Sequence, residues 1–267
     1  MGDRLYYVYG IVPAAVRLDT APAGVDGIVV GAIVNGNLAA LTGAVGADEY
    51  EPNVNDRVTD VAWLAPRARA HDEVLTWASD LGPVVPLPVL SLFRSEQAVR
   101  SMLAERREEL NGLLERLGRG REYGVRIFRV DDELRPVLGT FSPTIAALEV
   151  EVAGAPSPGQ GYLLSRKLGA ARKDELQRVT ATVAASAFRE LASRSMDATQ
   201  EPLPGTNTET GTAILNAWFL VAHDRIDDFR EAVTRFVRDH HRRGFRIEFT
   251  GPWPPYHFTR GVAVDAR

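Results

Sequence analysis

The chain has five histidines, His71, His223, His240, His241 and His257, and no cysteine. Without cysteine there is no thiol nucleophile, no disulfide framework and no thiolate-bound zinc. The histidines do not form the His-Glu-x-x-His spacing that sets two imidazoles on one helix face. His71 stands in Ala70-His71-Asp72-Glu73 on a stretch of helical periodicity. A structural or surface role is the simpler reading there, and a general base the sharper one. His240-His241 precedes Arg242-Arg243 at the end of a predicted helix. Positive charge suits the last carbonyls of a helix, and that reading is preferred to a metal site.

Carboxylates cluster at Asp131-Asp132-Glu133 and at Asp227-Asp228. The first set reads as a turn after a strand. The second reads as the first turn of a helix, where negative charge suits the dipole. Solvated faces account for both. Gly-x-Ser-x-Gly, the P-loop and Gly-x-Gly-x-x-Gly are missing, and Gly118-Arg119-Gly120 reads as a helix terminator. The arginine runs at Arg106-Arg107 and from Arg238 to Arg246 are interspersed with Glu105, Glu108, Glu109, Asp239 and Glu248. That mixture dilutes a phosphate-binding patch. No cofactor or metal site is expected.

One stretch stands apart: Phe249-Thr250-Gly251-Pro252-Trp253-Pro254-Pro255-Tyr256-His257-Phe258. Prolines stiffen it and aromatics give it a large apolar surface. It reads as a strap that leaves the last strand and packs back, with Trp253 as a plug. It also reads as a rigid docking surface, because aromatics on a stiff backbone bind at low entropic cost. Both roles are compatible.

These residues need elements to position them. The 267 residues are 45% apolar and 25% charged, ordinary globular usage, and the length suits two domains. The net charge of −4 gives no drive toward nucleic acid or an anionic membrane. Lys167 and Lys173 are the only lysines, and the bias to arginine reads as genome composition. No signal-like segment opens the chain, and the longest apolar stretch, Gly27 to Val45, is interrupted by Asn35-Gly36-Asn37. A soluble, cytoplasmic protein is expected.

The pattern predicts a strand at Leu5–Val12 and a hairpin of Ile28–Val34 with Leu38–Thr42 about Asn35-Gly36. A helix from about Asp56 to Asp80 should break or kink near Leu64 because of Pro66. Val84 to Phe93 holds Pro86 and Pro88 and is at best an edge strand. Ser95 caps one helix whose apolar stripe runs from Val99 to Leu117. Beyond Gly124 the order is strand (Gly124–Val130), short helix or arm (Pro143–Ala153), long helix (Gly161 to about Ser195), strand (Met196–Leu203), strand (Ala213–Val221), helix from Asp224, and strand (Phe245–Phe249). Without the short element this is βαββαβ, the ferredoxin-like order. The expected class is α+β with two domains: residues 1–118, with strand, hairpin and helices, and 119–267, a modified ferredoxin-like domain with a long helix and the terminal strap.

Seven segments stand in order along the chain: Tyr7-Val8-Tyr9-Gly10-Ile11-Val12; Ala70-His71-Asp72-Glu73-Val74-Leu75; Gly82-Pro83-Val84-Val85-Pro86-Leu87; Glu122-Tyr123-Gly124-Val125-Arg126-Ile127; Gly161-Tyr162-Leu163-Leu164-Ser165-Arg166-Lys167; Leu215-Asn216-Ala217-Trp218-Phe219-Leu220-Val221; and the terminal Gly-Pro-Trp-Pro-Pro-Tyr. Together they resemble the gas vesicle protein GvpL/GvpF family. One departure is Pro88-Val89-Leu90-Ser91, where the family usually carries Arg-Phe-Gly-Thr. The resemblance implies two α+β domains and a non-catalytic accessory protein of gas vesicle formation, located in the cytoplasm or with the vesicle. The implied partners are the hydrophobic shell protein GvpA and other accessory proteins. A minor wall component at the gas-facing surface is an alternative. A small-molecule binder or enzyme on the ferredoxin-like domain is a weaker one. The interaction residues expected from the terminal motif are Trp253, Pro254, Pro255, Tyr256 and Phe258, with Tyr7 and Tyr9 as packing neighbours.

Overall fold

The computed structural model describes residues 4–50, 59–203 and 210–259. It contains two compact units. The first comprises residues 1–122 together with 252–267, and the second comprises residues 123–251. The terminal segment therefore groups with the first unit, whereas the sequence reading left it with the second.

The first unit is built on strand β1 (Arg4–Pro13). It pairs antiparallel with β3 (Leu38–Gly46) from Arg4↔Gly46 to Pro13↔Leu38, and the register shifts between Val8 and Gly10. Tyr9 is the extra residue of that bulge. On its other side β1 pairs with two short strands, β4 (Val85–Pro86) and β5 (Leu92–Phe93). Two-residue strands are what the proline-rich Val84–Phe93 segment allows, since proline cannot donate to a ladder. β2 (Gly31–Asn35) completes the sheet, in the order β2-β3-β1-β4.

The β2–β3 hairpin turns at Gly36-Asn37, one residue later than expected. Asn35 pairs with Leu38, and Gly36 alone of the predicted Asn-Gly pair takes a positive φ, +64°. Asn35 is held by its side chain: Nδ2 donates to the Arg100 carbonyl at 2.8 Å and Oδ1 accepts from Arg107 at 2.7 Å.

Helix α1 (Ala47–Tyr50) is one turn. The predicted start near Asp56 lies outside the described residues. Helix α2 (Val61–Leu81) is capped by Asp60, whose carboxylate accepts from the amides of Ala62 and Trp63. It continues through Pro66 instead of breaking. Pro66 lies in the second turn and denies a partner only to the Ala62 carbonyl. Both residues are exposed, so water can serve that carbonyl. The single helix expected after Ser95 is two: α3 (Glu96–Glu105) and α4 (Arg107–Leu117). Arg106 leaves helical geometry at φ −106°, ψ 17°, and its guanidinium takes both oxygens of Glu109 at 2.8 and 2.7 Å. Val99, Leu103, Leu110, Leu114 and Leu117 are buried across the break. One core of this unit gathers Tyr7, Tyr9, Leu41 and Tyr50 with Val74, Leu75 and Ala78 of α2.

In the second unit β6 (Gly120–Arg129) leads into α5 (Asp131–Val137), a short 3-10 turn and α6 (Pro143–Ala153). Asp131-Asp132-Glu133 thus opens a helix, not a turn, because the acids suit its first-turn amides. Helix α7 (Pro158–Ala192) is 35 residues long. Then come β7 (Asp197–Gln200), β8 (Thr212–Ala222), α8 (Ile226–His240) and β9 (Phe245–Trp253). The predicted polar turn lies largely at 204–209, outside the described residues. The sheet order is β7-β8-β6-β9, and β7 pairs antiparallel with β8. Apart from the α5–α6 insertion, the element order is the expected βαββαβ. The core joins Tyr123, Val125 and Ile127 to Leu215, Ala217, Phe219, Phe229, Val233 and Phe245. Val179, Val183, Ala187 and Leu191, four residues apart, place the second half of α7 on it.

Candidate functional site

The terminal segment is fastened within the first unit. β9 ends at Trp253, Pro254 and Pro255 are buried, and Tyr256–Phe258 form a 3-10 turn. The Tyr256 hydroxyl donates to Asp72 Oδ1 on α2 at 2.6 Å. Burial, and then the Asp72 carboxylate, push that hydroxyl up, which keeps it a neutral donor. The His257 backbone amide donates to Glu122 Oε2 at 2.8 Å, and its Nδ1 lies 2.6 Å from Glu122 Oε1. A carboxylate only accepts, so Nδ1 carries the proton. Glu122 is buried. Arg116 Nη2 donates to the Phe258 carbonyl at 2.5 Å. Thr259 Oγ1 donates to the Pro255 carbonyl at 3.2 Å and closes the turn.

Beneath this segment lies a nest of aromatic and titratable groups. His71 Nε2 faces the Leu87 carbonyl at 3.1 Å and therefore carries hydrogen. Its Nδ1 is left to accept from the Tyr7 hydroxyl at 2.9 Å. That hydroxyl accepts in turn from the Leu90 amide at 3.1 Å. Burial lowers the His71 pKa to about 4 and raises that of Tyr7. The Tyr9 hydroxyl accepts from the Val25 amide at 2.9 Å, and burial pushes it up to about 12. Tyr7 and Tyr9 lie 4.8 Å apart between ring centres, and each is 5.6 Å from the His71 ring. Tyr50 donates to Asp26 at 2.5 Å. Arg67 donates to Tyr50 at 3.1 Å, pairs with Asp26 at 2.8 Å and with Glu49 at 2.5 Å, and lies 4.1 Å over the Trp63 ring.

This arrangement is suited to holding shape. The His71 ring is fully buried and both its nitrogens are engaged, which is the structural reading of that residue. Among the described residues no group of three His, Asp or Glu side chains is placed to hold a metal ion. Among the described residues no helix is long and apolar enough to cross a membrane. In the second unit, His240 stacks on Phe236 with ring centres 4.3 Å apart, and its Nδ1 donates to the Phe236 carbonyl at 3.1 Å. Burial lowers its pKa, while Arg238, Arg242 and Arg243 supply the positive charge expected at this helix end.

The expected interaction residues fall into two groups. Pro254, Pro255 and Phe258 are buried, Tyr256 is half-buried against the core that holds Tyr7 and Tyr9, and those two tyrosines are fully buried. Trp253 is 42% exposed and is not the plug expected of it. It stands at the end of β9, where the prolines that follow carry the chain inward. Sequence reasoning missed Glu122, Asp72 and Arg116. The one available signal was a carboxylate, Glu122, opening the mostly apolar run Tyr123–Phe128.

A family model described as gas vesicle synthesis protein GvpL/GvpF matches residues 5–260. The chain is 30% identical to gas vesicle protein L of Streptomyces sp. (strain CB03234), over 98% of this chain and 95% of that protein. It is 28% identical to gas vesicle protein F of the same strain, over 94% and 98%. In fold it is similar to the crystal structure of GvpF from Anabaena sp. PCC7120, with a TM-score of 0.69 at 20% identity, covering 96% of this chain and 98% of that one. GvpF from Microcystis aeruginosa gives 0.67 at 17% identity, covering 96% and 99%. A match that runs nearly from end to end, on a fold shared with two solved members, establishes that this chain belongs to the GvpL/GvpF family of gas vesicle synthesis proteins.

Proposed function

We propose that this chain is a non-catalytic accessory protein that acts in the cytoplasm while gas vesicles form, binding the hydrophobic shell protein GvpA, other accessory proteins, or both. The observation that carries the reading is the family match over residues 5–260. Physical reasoning supports it. A shell subunit that will face gas must expose apolar surface before assembly, and a large exposed apolar patch invites aggregation. A partner that covers such a surface needs an apolar anchor on a stiff backbone. Trp253, exposed beside the buried Pro254 and Pro255, has that form.

The test is co-purification of shell protein with the full chain, alongside Trp253→Ala. The wild type is expected to retain the shell protein saturably. Trp253→Ala is expected to melt within a few degrees of the wild type, because an exposed side chain contributes little to stability, on the order of 0.5 kcal/mol. It should nonetheless lose at least about 2 kcal/mol of binding, the scale of an interface hot spot. A well-folded wild type that captures no shell protein would remove GvpA as the partner. Recovery of this chain in stoichiometric amount from washed vesicles would assign it to the wall instead.

A further inference from the structure

From Val152 to Lys173 the chain carries four basic residues, Arg166, Lys167, Arg172 and Lys173, and no acidic one, in a protein of net charge −4. The stretch covers the end of α6, its connection and the first half of α7. The two helices pack against each other as a hairpin. Before Val179, α7 buries only Leu168. Val150 near the end of α6, and Tyr162 and Leu163 near the start of α7, are 73%, 62% and 65% exposed. All three lie within about two helical turns of the connection. Arg166 and Lys167 lie within about one turn of Leu163, and Lys173 lies nearly two turns farther along α7.

The cations are not spent within the protein. Arg172 pairs with Glu149 at 2.8 Å, but Arg166, Lys167 and Lys173 have no ion pair among the described residues. Beside them is a cavity of about 330 Å³ lined by Arg135, Leu138, Gly169, Arg172, Lys173 and Leu176. Arg135 is shared with Asp131 at 3.4 Å. Lys173 is the cation on that rim with no ion pair among the described residues. An apolar floor of two leucines under a cationic rim suits a single carboxylate side chain with its methylenes.

We propose that the α6–α7 hairpin is a docking surface for an acidic amphipathic segment of a partner protein. The partner's apolar side chains cover Val150, Tyr162 and Leu163, and its carboxylates meet Lys167 and Lys173. Charge complementarity sets register and rate, while the apolar contacts supply affinity. A protein segment is favoured over an anionic lipid surface for two reasons. Three free cations fall short of the roughly 4–8 that make a polybasic lipid patch. The cavity that Lys173 lines sets Leu138 and Leu176 beside its cations, which suits a carboxylate side chain with its methylenes. The proposal concerns a different surface from Trp253 and does not depend on GvpA being a partner.

The test is selection of a displayed library of random peptides, about four helical turns long, against the immobilised full chain. Enriched sequences are expected to combine Asp or Glu with Leu, Ile or Phe. Their affinity should fall at least roughly tenfold in the double variant Lys167→Glu/Lys173→Glu, and also in Leu163→Ser. These positions are exposed, so thermal unfolding should match the wild type. No enrichment, enrichment of basic or uncharged sequences, or affinity unchanged in the charge-reversed variant would each overturn the proposal. So would binding of phosphatidylglycerol vesicles that the charge reversal abolishes without any peptide selection, which would assign the surface to membrane.

Discussion

His71 shows how a residue that could do chemistry is turned to structural use. Its imidazole is neutral in the folded chain down to about pH 4, against an ordinary value of 6.5. The unfolded chain therefore binds more protons between those values, and stability falls as pH drops from about 6.5 to 4 and levels off below. The loss should be on the order of 3 kcal/mol. Urea unfolding at a series of pH values checks this, because His71→Gln should flatten the slope in that window. Leu90, nearby, holds a positive φ of +68°, which costs a branched side chain about 1–2 kcal/mol. Its amide is pinned by the Tyr7 hydroxyl. The strain is local and is held by a buried tyrosine.

At the level of elements, the sequence announced what depends on near neighbours and concealed what depends on distant ones. The Ser95 cap, the β2–β3 hairpin and the four-residue spacing from Val179 to Leu191 are local, and each could be read from residue types. The break at Arg106 was not legible, because the apolar stripe runs across it unbroken and the Arg106–Glu109 pair that marks it resembles any surface pair. Pro66 was over-read, since its effect depends on whether water reaches one carbonyl. The fastening of the terminal segment was hidden for another reason: Glu122 and His257 are 135 positions apart, and no pattern links them. The inner strand β6 offers a sharp test of element packing. A methyl group on buried Gly124 would lie 2.7 Å from both Thr250 Oγ1 on β9 and Trp218 Cζ3 on β8. Gly124→Ala should therefore destabilise the protein by about 1–3 kcal/mol, as overpacking does. Thermal unfolding measures it.

For the whole molecule, the central fact is that the first unit is made of two pieces from opposite ends of the chain. Pro254, Pro255, Phe258 and Thr259 are buried in it, and Asp72, Arg116 and Glu122 each bond to the returning segment. A chain truncated after Trp253 should lose amide-exchange protection in β1 and α2 while β8 and the second half of α7 retain theirs. Equal loss in both units, or loss in neither, would contradict the division. The same connectivity sets an order of events during synthesis. The unit whose first strand leaves the ribosome earliest waits about 130 residues for the piece that closes it, on the order of ten seconds at roughly 5–20 residues per second. Throughout that interval Glu122 has no His257 to accept from and the aromatic nest lacks its cover. The second unit, continuous in the chain, is fully synthesised before the first unit receives the piece that closes it.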